Sequence, residues 1–84
     1  MVLVVRQAEA LVKLYDSGGE LPSAELSREL RLSPQRIPAI TRALQERGLV
    51  TRERRRHHVM IKLTEKGKRA APLLAQLLKL LAEP

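Results

Sequence analysis

The chain has 84 residues, a net charge of +7 at neutral pH and a hydrophobic fraction of 44%. This length predicts one small domain, residues 1–84, whose thin core a partner subunit would help to complete. Cysteine is absent, which excludes disulfides, thiolate zinc sites and cysteine nucleophiles and is typical of a reducing, cytoplasmic setting. No apolar run approaches the roughly 20 residues that span a bilayer, so no membrane partner is predicted. Charged residues follow the opening MVLVV within a few positions, so no secretory signal is predicted.

The positive charge is concentrated in the middle of the sequence. Residues 1–32 carry four basic and five acidic side chains, residues 33–69 carry eleven basic and three acidic ones, and residues 70–84 are neutral overall. A segment with a balance of +8 indicates a phosphate-binding face, whereas a merely solvated surface would mix both signs. Tyr15 is the only aromatic residue, and proteins that bind single strands need aromatic side chains for stacking. The pattern favours double-stranded DNA as the partner.

The first predicted helix covers residues 3–17, where apolar side chains recur with a helical period. Gly18-Gly19 ends it. An extended link is predicted at Leu21-Pro22, followed by a short helix that Ser23 caps and that ends near Arg31. The apolar residues that recur along the first helix are Val4, Val5, Ala8, Leu11, Val12 and Tyr15, and Leu26 and Leu30 lie on the buried side of the second.

A third helix is predicted over about residues 34–47, with Ser33 as its N-cap and Pro34 at its first position. Gly48 provides its C-cap. Pro38 is expected to distort the helix locally, because it lacks a backbone donor one turn from the start. The inward positions are Ile37, Ile40, Thr41 and Leu44, and the opposite face shows Gln35, Arg36, Pro38, Ala39, Arg42 and Gln45.

After Gly48 the apolar period changes to two, which predicts a β-hairpin over about residues 49–63. The basic stretch TRERRRHHV, residues 51–59, then lies at the tip of this hairpin. Thr64 is predicted to cap a last helix over about residues 65–82, which is rich in leucine. The order is helix, helix, helix, hairpin, helix, and it predicts a mainly α fold with a small β-hairpin.

This order and its motifs resemble the MarR-type winged helix-turn-helix regulators, including their small archaeal relatives. The matching stretches are ELSRELRLSPQRIPAITRALQERGLV (25–50) and VMIKLTEKGKRA (59–70). The resemblance implies a three-helix core, a wing formed by the hairpin and a C-terminal dimerisation helix. It also implies that the third helix is the recognition helix, which enters the major groove of DNA.

The base-reading residues expected from this resemblance are Gln35, Arg36 and Ala39. Gln35 can read adenine and Arg36 guanine through bidentate hydrogen bonds, whereas Ala39 can only touch a thymine methyl group. Ser33 and Arg42 are expected on the DNA backbone. The alternative for Arg36 and Arg42 is an ordinary solvated helix face.

In such regulators the wing often carries an Asp-Arg pair whose arginine enters the minor groove. Counting back from Leu63-Thr64 places Arg56 on that arginine and Arg55 on the aspartate, and the wing is about three residues shorter. We therefore expect Arg54, Arg55 and Arg56 to clamp backbone phosphates rather than to insert deeply. The longer terminal helices that frame effector pockets in larger relatives have no counterpart, so no effector is predicted.

The adjacent histidines His57-His58 do not predict a metal site, because neighbours on a strand point to opposite faces and no third ligand is well spaced. No serine has a convincing His-Asp constellation, so neither an enzyme nor a cofactor is predicted.

The last helix carries leucines on two neighbouring stripes, although covering one domain requires only one apolar face. The second stripe predicts a homodimer, unless both stripes are buried in one core. The predicted interface comprises Val4, Leu73, Leu74, Leu77, Leu78 and Leu81, with Val2, Leu3 and Val5 as companions. Three functions stay open: a dimeric sequence-specific transcription regulator, a nonspecific architectural DNA-binding protein, and a protein-interaction module. Eleven arginines without cysteine or asparagine also hint at a thermophilic source.

Overall fold

A computed structural model describes the backbone of residues 2–84 and the side chains of residues 4–84. The elements in chain order are α1 (Val2–Asp16), β1 (Glu20–Pro22), α2 (Ser23–Leu30), a 3-10 turn (Pro34–Arg36), α3 (Ile37–Glu46), β2 (Val50–Arg55), β3 (His58–Leu63) and α4 (Glu65–Ala82). They confirm the winged helix-turn-helix architecture: α2 and α3 form the helix-turn-helix, β2 and β3 form the wing, and α4 packs on α1.

The segment predicted as an extended link is a third strand, β1. It pairs antiparallel with β3, so that Leu21 lies opposite Ile61 and the strand order is β1-β3-β2. Its three residues are too few to show an alternating pattern, and only the free edge of β3 makes them a strand. Leu63 N–H also donates to the Gly19 carbonyl at 2.8 Å. These bonds fix the base of the wing to the helical core.

One buried apolar cluster joins all the helices and the sheet. Its members come from every long element of the chain: Ala10, Leu11, Leu14, Leu26, Leu30, Ile37, Ile40, Leu44, Val50, Ile61, Leu63 and Ala71. The predicted inward residues of α2 and α3 are all among the buried ones. Thr41 is buried with them, and its hydroxyl donates to the Ile37 carbonyl at 3.1 Å, which satisfies its polar atom.

Only part of the apolar pattern of α1 meets the core. Leu11 is buried together with Gln7, Ala10 and Leu14, whereas Val4, Val5 and Tyr15 are 56%, 47% and 45% exposed. Two apolar stripes run side by side on this helix, and periodicity alone cannot decide which of them meets the core.

The start of α2 also differs, by one residue. Pro22 is the N-cap, with φ −62° and ψ 147°, and Ser23 is the first helical residue, so the predicted cap at Ser23 is wrong. The reason is tertiary, because pairing of β1 with β3 holds Pro22 in the extended conformation that an N-cap needs. At the other end Arg31 adopts a left-handed conformation with φ 56°, which closes the helix and opens the turn.

The recognition helix is split into two parts. Pro34–Arg36 form a 3-10 turn and the α-helix begins only at Ile37. Pro38 therefore lies in the first turn of α3, where its missing N–H has no intrahelical acceptor to lose. The expected local distortion is confirmed, and its form is this 3-10 entry. Pro38 itself is half-buried rather than fully outward.

The junction between α3, the wing and α4 is held by a compact set of hydrogen bonds. Thr64 caps α4 as predicted, accepting from Gly67 N–H at 3.1 Å. The Thr64 hydroxyl also donates to the Gly48 carbonyl at 2.6 Å, and Thr64 N–H donates to the Leu49 carbonyl at 3.1 Å. Gly67 lies so close to that carbonyl that a Cβ atom would overlap it. The first turn of α4 is therefore seated directly on the chain that leaves α3.

We expect Gly67→Ala to destabilise the protein, because its methyl group would overlap the Leu49 backbone, which cannot rotate away as a side chain could. Overpacking of this kind costs about 1–3 kcal/mol. Thermal unfolding should show the loss, with Arg69→Ala on the exposed side of the same helix as the control, expected within about 0.5 kcal/mol of the parent. Equal stabilities of the two variants would contradict the close seating of α4.

Candidate nucleic-acid interface

The outward face of the recognition helix presents the residues predicted to read bases. Gln35, Arg36, Ala39 and Arg42 are all exposed, whereas the opposite face is buried in the core. Positions 35, 39 and 42 follow the i, i+4, i+7 spacing of a single helix face. Gln35 and Arg36 belong to the 3-10 turn, so they lie at the leading end of this face rather than inside the α-helix.

Ser33 precedes this face in an extended conformation, with φ −66° and ψ 146°. The prediction that it caps the helix is borne out in position only, because its side chain makes no capping hydrogen bond. The residue is exposed. Its hydroxyl is thus not committed to the start of the helix, which fits a contact with the DNA backbone.

The wing has two chemically different faces. Residues alternate sides along a strand, so Val50, Arg52 and Arg54 share one face of β2 and Thr51, Glu53 and Arg55 share the other. The first face, which we call the inner face, begins in the core, because Val50 is buried. Burial then decreases along it, with Arg52 half-buried and Arg54 exposed.

The opposite, outer face of the wing is an ion-pair network. The Glu53 carboxylate lies 3.4 Å from a guanidinium nitrogen of Arg55 and 3.3 Å from the Lys62 ammonium nitrogen. The Lys62 nitrogen also lies 3.8 Å from the carboxylate of Glu20. Hydrogen bonds from Arg55 and then Lys62, reinforced by their charges, hold the pKa of Glu53 below its usual value. These side chains are exposed or half-exposed, so the network contributes little stability. Its main effect is to compensate the charge of Arg55.

The structure therefore distributes the three arginines of the predicted clamp over different places. Arg54 is on the inner face, Arg55 is paired on the outer face, and Arg56 follows in the turn between the strands. All three are exposed. His57 lies beside Arg56 in the same turn, and the residues that the structure describes contain no group of three or more side chains suited to a metal ion.

Sequence reasoning missed Arg52, which lies half-buried on the inner face of the wing. Burial, and then the positive charge of Arg42, lower the pKa of Arg52 from its usual value. Its Nε atom is buried without a hydrogen-bond partner among the described residues. The run of neighbouring basic residues predicted only Arg54, Arg55 and Arg56 as DNA contacts. The alternation of side chains along the strand, counted from Val50, is the signal that would have placed Arg52 and Arg54 on the same face.

On the other side of the domain α4 exposes a row of leucines. Leu73, Leu77, Leu80 and Leu81 are 67%, 50%, 62% and 73% exposed. The alternative that both leucine stripes are buried in one core is therefore wrong, although Leu74 packs against the core and Leu78 is half-buried. Exposed Val4 and Val5 add to the apolar surface from α1, which packs against α4. The predicted companions Val2 and Leu3 have side chains outside the described residues.

An apolar cleft of about 170 Å³ lies between α1, α4 and the end of α3. Ligand pockets usually enclose roughly 300–1,000 Å³. This cleft is therefore too small to indicate an effector site by itself. Its lining residues are Val4, Gln7, Ala8, Leu11, Leu44, Arg47, Leu49 and Leu74.

The sequence model of the MarR family matches residues 3–58, which include the helix-turn-helix and β2, the first strand of the wing. The chain belongs to the MarR family. Its members are transcription regulators and not enzymes, and this MarR-family chain has their winged-helix fold. The comparison with curated proteins finds no match.

Solved structures show the same fold. A protein from Archaeoglobus fulgidus is similar over 94% of this chain and 90% of its own, with a TM-score of 0.81 and 17% identity. ZitR from Lactococcus lactis has a TM-score of 0.78 and 25% identity over 92% of this chain. A MarR family transcriptional regulator from Streptomyces coelicolor has a TM-score of 0.74 and 27% identity over 83% of this chain. The chain spans only 59% and 50% of the lengths of the last two.

None of the helices described for this MarR-family chain has the length and apolar character needed to cross a membrane.

Because of the ion pairs on the outer face of the wing, we expect the Glu53 carboxyl to have a pKa below that of an ordinary glutamate. A lowered pKa means that the ion pairs stabilise the fold fully above the unfolded-state pKa, and that this stabilisation is lost as the pH falls through the folded value. An NMR titration of the Glu53 carboxylate should give a midpoint pH below the usual glutamate value, and this midpoint should rise in Arg55→Met and in Lys62→Met. Arg54→Met is the matched control, since it removes an adjacent charge from the opposite face. A midpoint that responds equally to all three variants would contradict the two-faced wing.

Proposed function

We propose that this chain is a dimeric transcription regulator that binds specific sequences of double-stranded DNA. The supporting observation is the exposed face of Gln35, Arg36, Ala39 and Arg42 on one side of the recognition helix, with the arginine-bearing wing directly after it. A helix in this arrangement fits the major groove, while the wing reaches the flanking backbone. The protein is proposed to act in the cytoplasm, without a cofactor and with no effector assigned.

Base recognition in this proposal falls to the leading end of the recognition helix. Gln35 and Arg36 have the donor and acceptor groups that match adenine and guanine edges, and Ala39 can contact a thymine methyl group. Both polar side chains are exposed, and Arg36 has no carboxylate within 4.0 Å among the described residues, so it need not leave an ion pair to bind DNA. Discrimination then comes from two or three neighbouring base pairs in each half-site.

Backbone contacts fall to Ser33, Arg42 and the wing. Arg54 and Arg56 are the exposed wing arginines without a carboxylate within 4.0 Å among the described residues. Arg55 must leave or share Glu53 to reach a phosphate, so its contribution is smaller. Such contacts fix the position of the protein and add affinity with little sequence information.

The proposed dimer uses the apolar surface of α4 and the start of α1. A two-fold axis along this surface would pair Leu73, Leu77 and Leu81 with their counterparts and cover Val4 as well. Leu74 and Leu78 would line the inner edge of the interface, where they are already half-buried. Two recognition helices could then occupy major grooves roughly 34–36 Å apart, one turn of DNA.

The competing candidate is a nonspecific architectural DNA-binding protein. The observation that favours it is the amount of positive charge on the wing compared with the few base-reading side chains on the helix. A winged helix used only for protein interaction is less well supported, because such a module has no need of a segment with a balance of +8.

Arg36→Ala should separate the two DNA-binding candidates. If Arg36 reads a guanine, its loss costs roughly 1–3 kcal/mol on the preferred duplex and relaxes selectivity at one base pair. Competition binding of the preferred duplex against bulk DNA, at a stated salt concentration, measures both effects. Arg69→Ala, on α4, is the control for the loss of one positive charge outside the recognition helix. Equal losses on preferred and random duplexes would instead support the architectural candidate.

Leu77→Glu should produce monomers, because it places a charge at the centre of the proposed apolar interface. Sedimentation at tens of micromolar measures the change, and DNA affinity should weaken with it. Gln76→Glu is a matched control that adds the same charge at an exposed neighbouring position of α4 and should stay dimeric. A parent protein that sediments as a monomer would refute the proposed dimer.

A further inference from the structure

We propose that Lys66 is a positioning residue for DNA recognition, which holds the recognition helix α3 at a fixed angle to α4. It acts through a hydrogen bond to the Arg47 carbonyl at the end of α3 and not by contact with DNA. The inference rests on the dimeric DNA-binding function above and deepens it. Because α4 carries the proposed dimer surface, the angle between α3 and α4 sets where the two recognition helices stand in the dimer.

Three consecutive carbonyl groups at the exit of α3 accept hydrogen bonds from the start of α4. The Lys66 ammonium group donates to the Arg47 carbonyl at 2.7 Å. Thr64 donates to the next two carbonyls, from its hydroxyl to Gly48 at 2.6 Å and from its N–H to Leu49 at 3.1 Å. The last carbonyls of a helix have no donor within the helix itself. The start of α4 therefore supplies donors where α3 ends.

Among these donors only Lys66 carries a charge. The C-terminal end of a helix has a partial negative charge, so a cation beside its last carbonyls is stabilising. A hydrogen bond from a charged donor is also stronger than one between neutral groups. The stem of Lys66 passes over Gly48, where an added Cβ atom would lie 4.0 Å from the Lys66 Cδ atom. The side chain thus spans the short distance from α4 to the end of α3.

The ammonium group of Lys66 has no competing acidic partner among the described residues. None of their carboxylates lies within 4.0 Å of it. Lys68, two positions later on the same helix, instead pairs with Glu65 at 3.7 Å. Both lysines are exposed. They have the same charge and differ in what the side chain contacts, so Lys68 provides the matched control.

The geometry of α4 turns a small change of angle into a large displacement. Its first turn is seated on the chain that leaves α3, and its exposed leucines lie beyond the buried Ala71. At 1.5 Å per residue the 18-residue helix is about 27 Å long, so a change of about 10° relative to α3 displaces its far end by about 5 Å. One base pair occupies about 3.4 Å along the duplex. The angle therefore decides which half-site spacing the dimer can span.

A distance measurement tests the coupling without DNA. The chain has no cysteine, so Gln45→Cys on α3 and Gln76→Cys on α4, both at exposed positions, would take spin labels selectively. Pulsed electron paramagnetic resonance of labelled protein diluted in unlabelled protein gives the distance distribution within one chain. We expect Lys66→Met to broaden or shift this distribution, and Lys66→Arg and Lys68→Met to preserve it. An unchanged distribution in Lys66→Met would overturn the proposal.

Half-site spacing tests the consequence for DNA binding. The probe is a duplex with two half-sites that the parent protein selects from a random library, with versions that gain or lose one central base pair. Lys66→Met should bind the selected spacing about three- to tenfold less tightly, and it should discriminate less among the three spacings. Lys66→Arg keeps a charged donor and should restore both properties. Lys68→Met should behave as the parent does.

Two further readouts separate positioning from a direct phosphate contact. Loss of a phosphate contact would flatten the log–log salt slope by about 0.9 per subunit, whereas loss of positioning leaves the slope unchanged. On a single half-site the monomeric Leu77→Glu variant has no spacing to match, so adding Lys66→Met should not change its affinity. A flattened slope, or weaker binding of the monomer to the half-site, would overturn the positioning role. A lower Tm by itself would leave the spacing preference as it is in the parent.

The outcomes distinguish this inference from the proposed function. If the parent binds DNA as a dimer and Lys66→Met keeps both its distance distribution and its spacing preference, the positioning role is refuted and the function stands. If the parent is monomeric or does not bind DNA, the proposed function is refuted, and the role of Lys66 in DNA recognition is refuted with it. A broadened distribution with relaxed spacing, both restored by Lys66→Arg, supports the two together.

Discussion

The close seating of Gly67 against the Leu49 carbonyl is the constraint on which the rest of the arrangement depends. At this point the chain leaves α3, enters the wing and, after Thr64, starts α4. A side chain at position 67 would force these three segments apart. The Thr64 hydroxyl joins the same segments by accepting from Gly67 and donating to the Gly48 carbonyl. The orientation of the recognition helix, the wing and the exposed leucines relative to one another follows from this one contact.

Charge is distributed over the wing by strand alternation. On the outer face Glu53 compensates Arg55 and Lys62, whereas no carboxylate of the described residues lies within 4.0 Å of Arg52 or Arg54 on the inner face. The two faces of the stretch from Thr51 to Val59 therefore differ in net charge, which its composition does not show. Since the core-facing register begins at Val50, burial of that one side chain determines which arginines are available to an anion.

The sequence predicted most of this fold because long amphipathic segments and strong end signals agree locally. Ser33-Pro34, Gly48 and Thr64 marked the element boundaries, and Ile37, Ile40 and Leu44 marked the buried side of the recognition helix. It was less successful where two local readings were equally good. On α1 the apolar residues form two stripes, and periodicity did not show that Gln7 and Ala10 are buried while Tyr15 is exposed. The sequence predicted the candidate site as one face of a helix and a run of basic residues. It did not single out Arg52, because the density of charge along a sequence does not show on which face of a strand a side chain lies.

By itself the sequence determined the order of elements, the positive middle segment, the outward Gln35 and Arg36, and a surplus of leucines on the last helix. Each of these depends on spacing along one element or on charge, which neighbours in sequence suffice to define. Only the tertiary structure decided that Leu21-Pro22 becomes a strand and that Pro22 replaces Ser23 as the cap. These features need a partner distant in the chain, namely the free edge of β3, and such a pairing leaves no periodic signal in the segment that forms it.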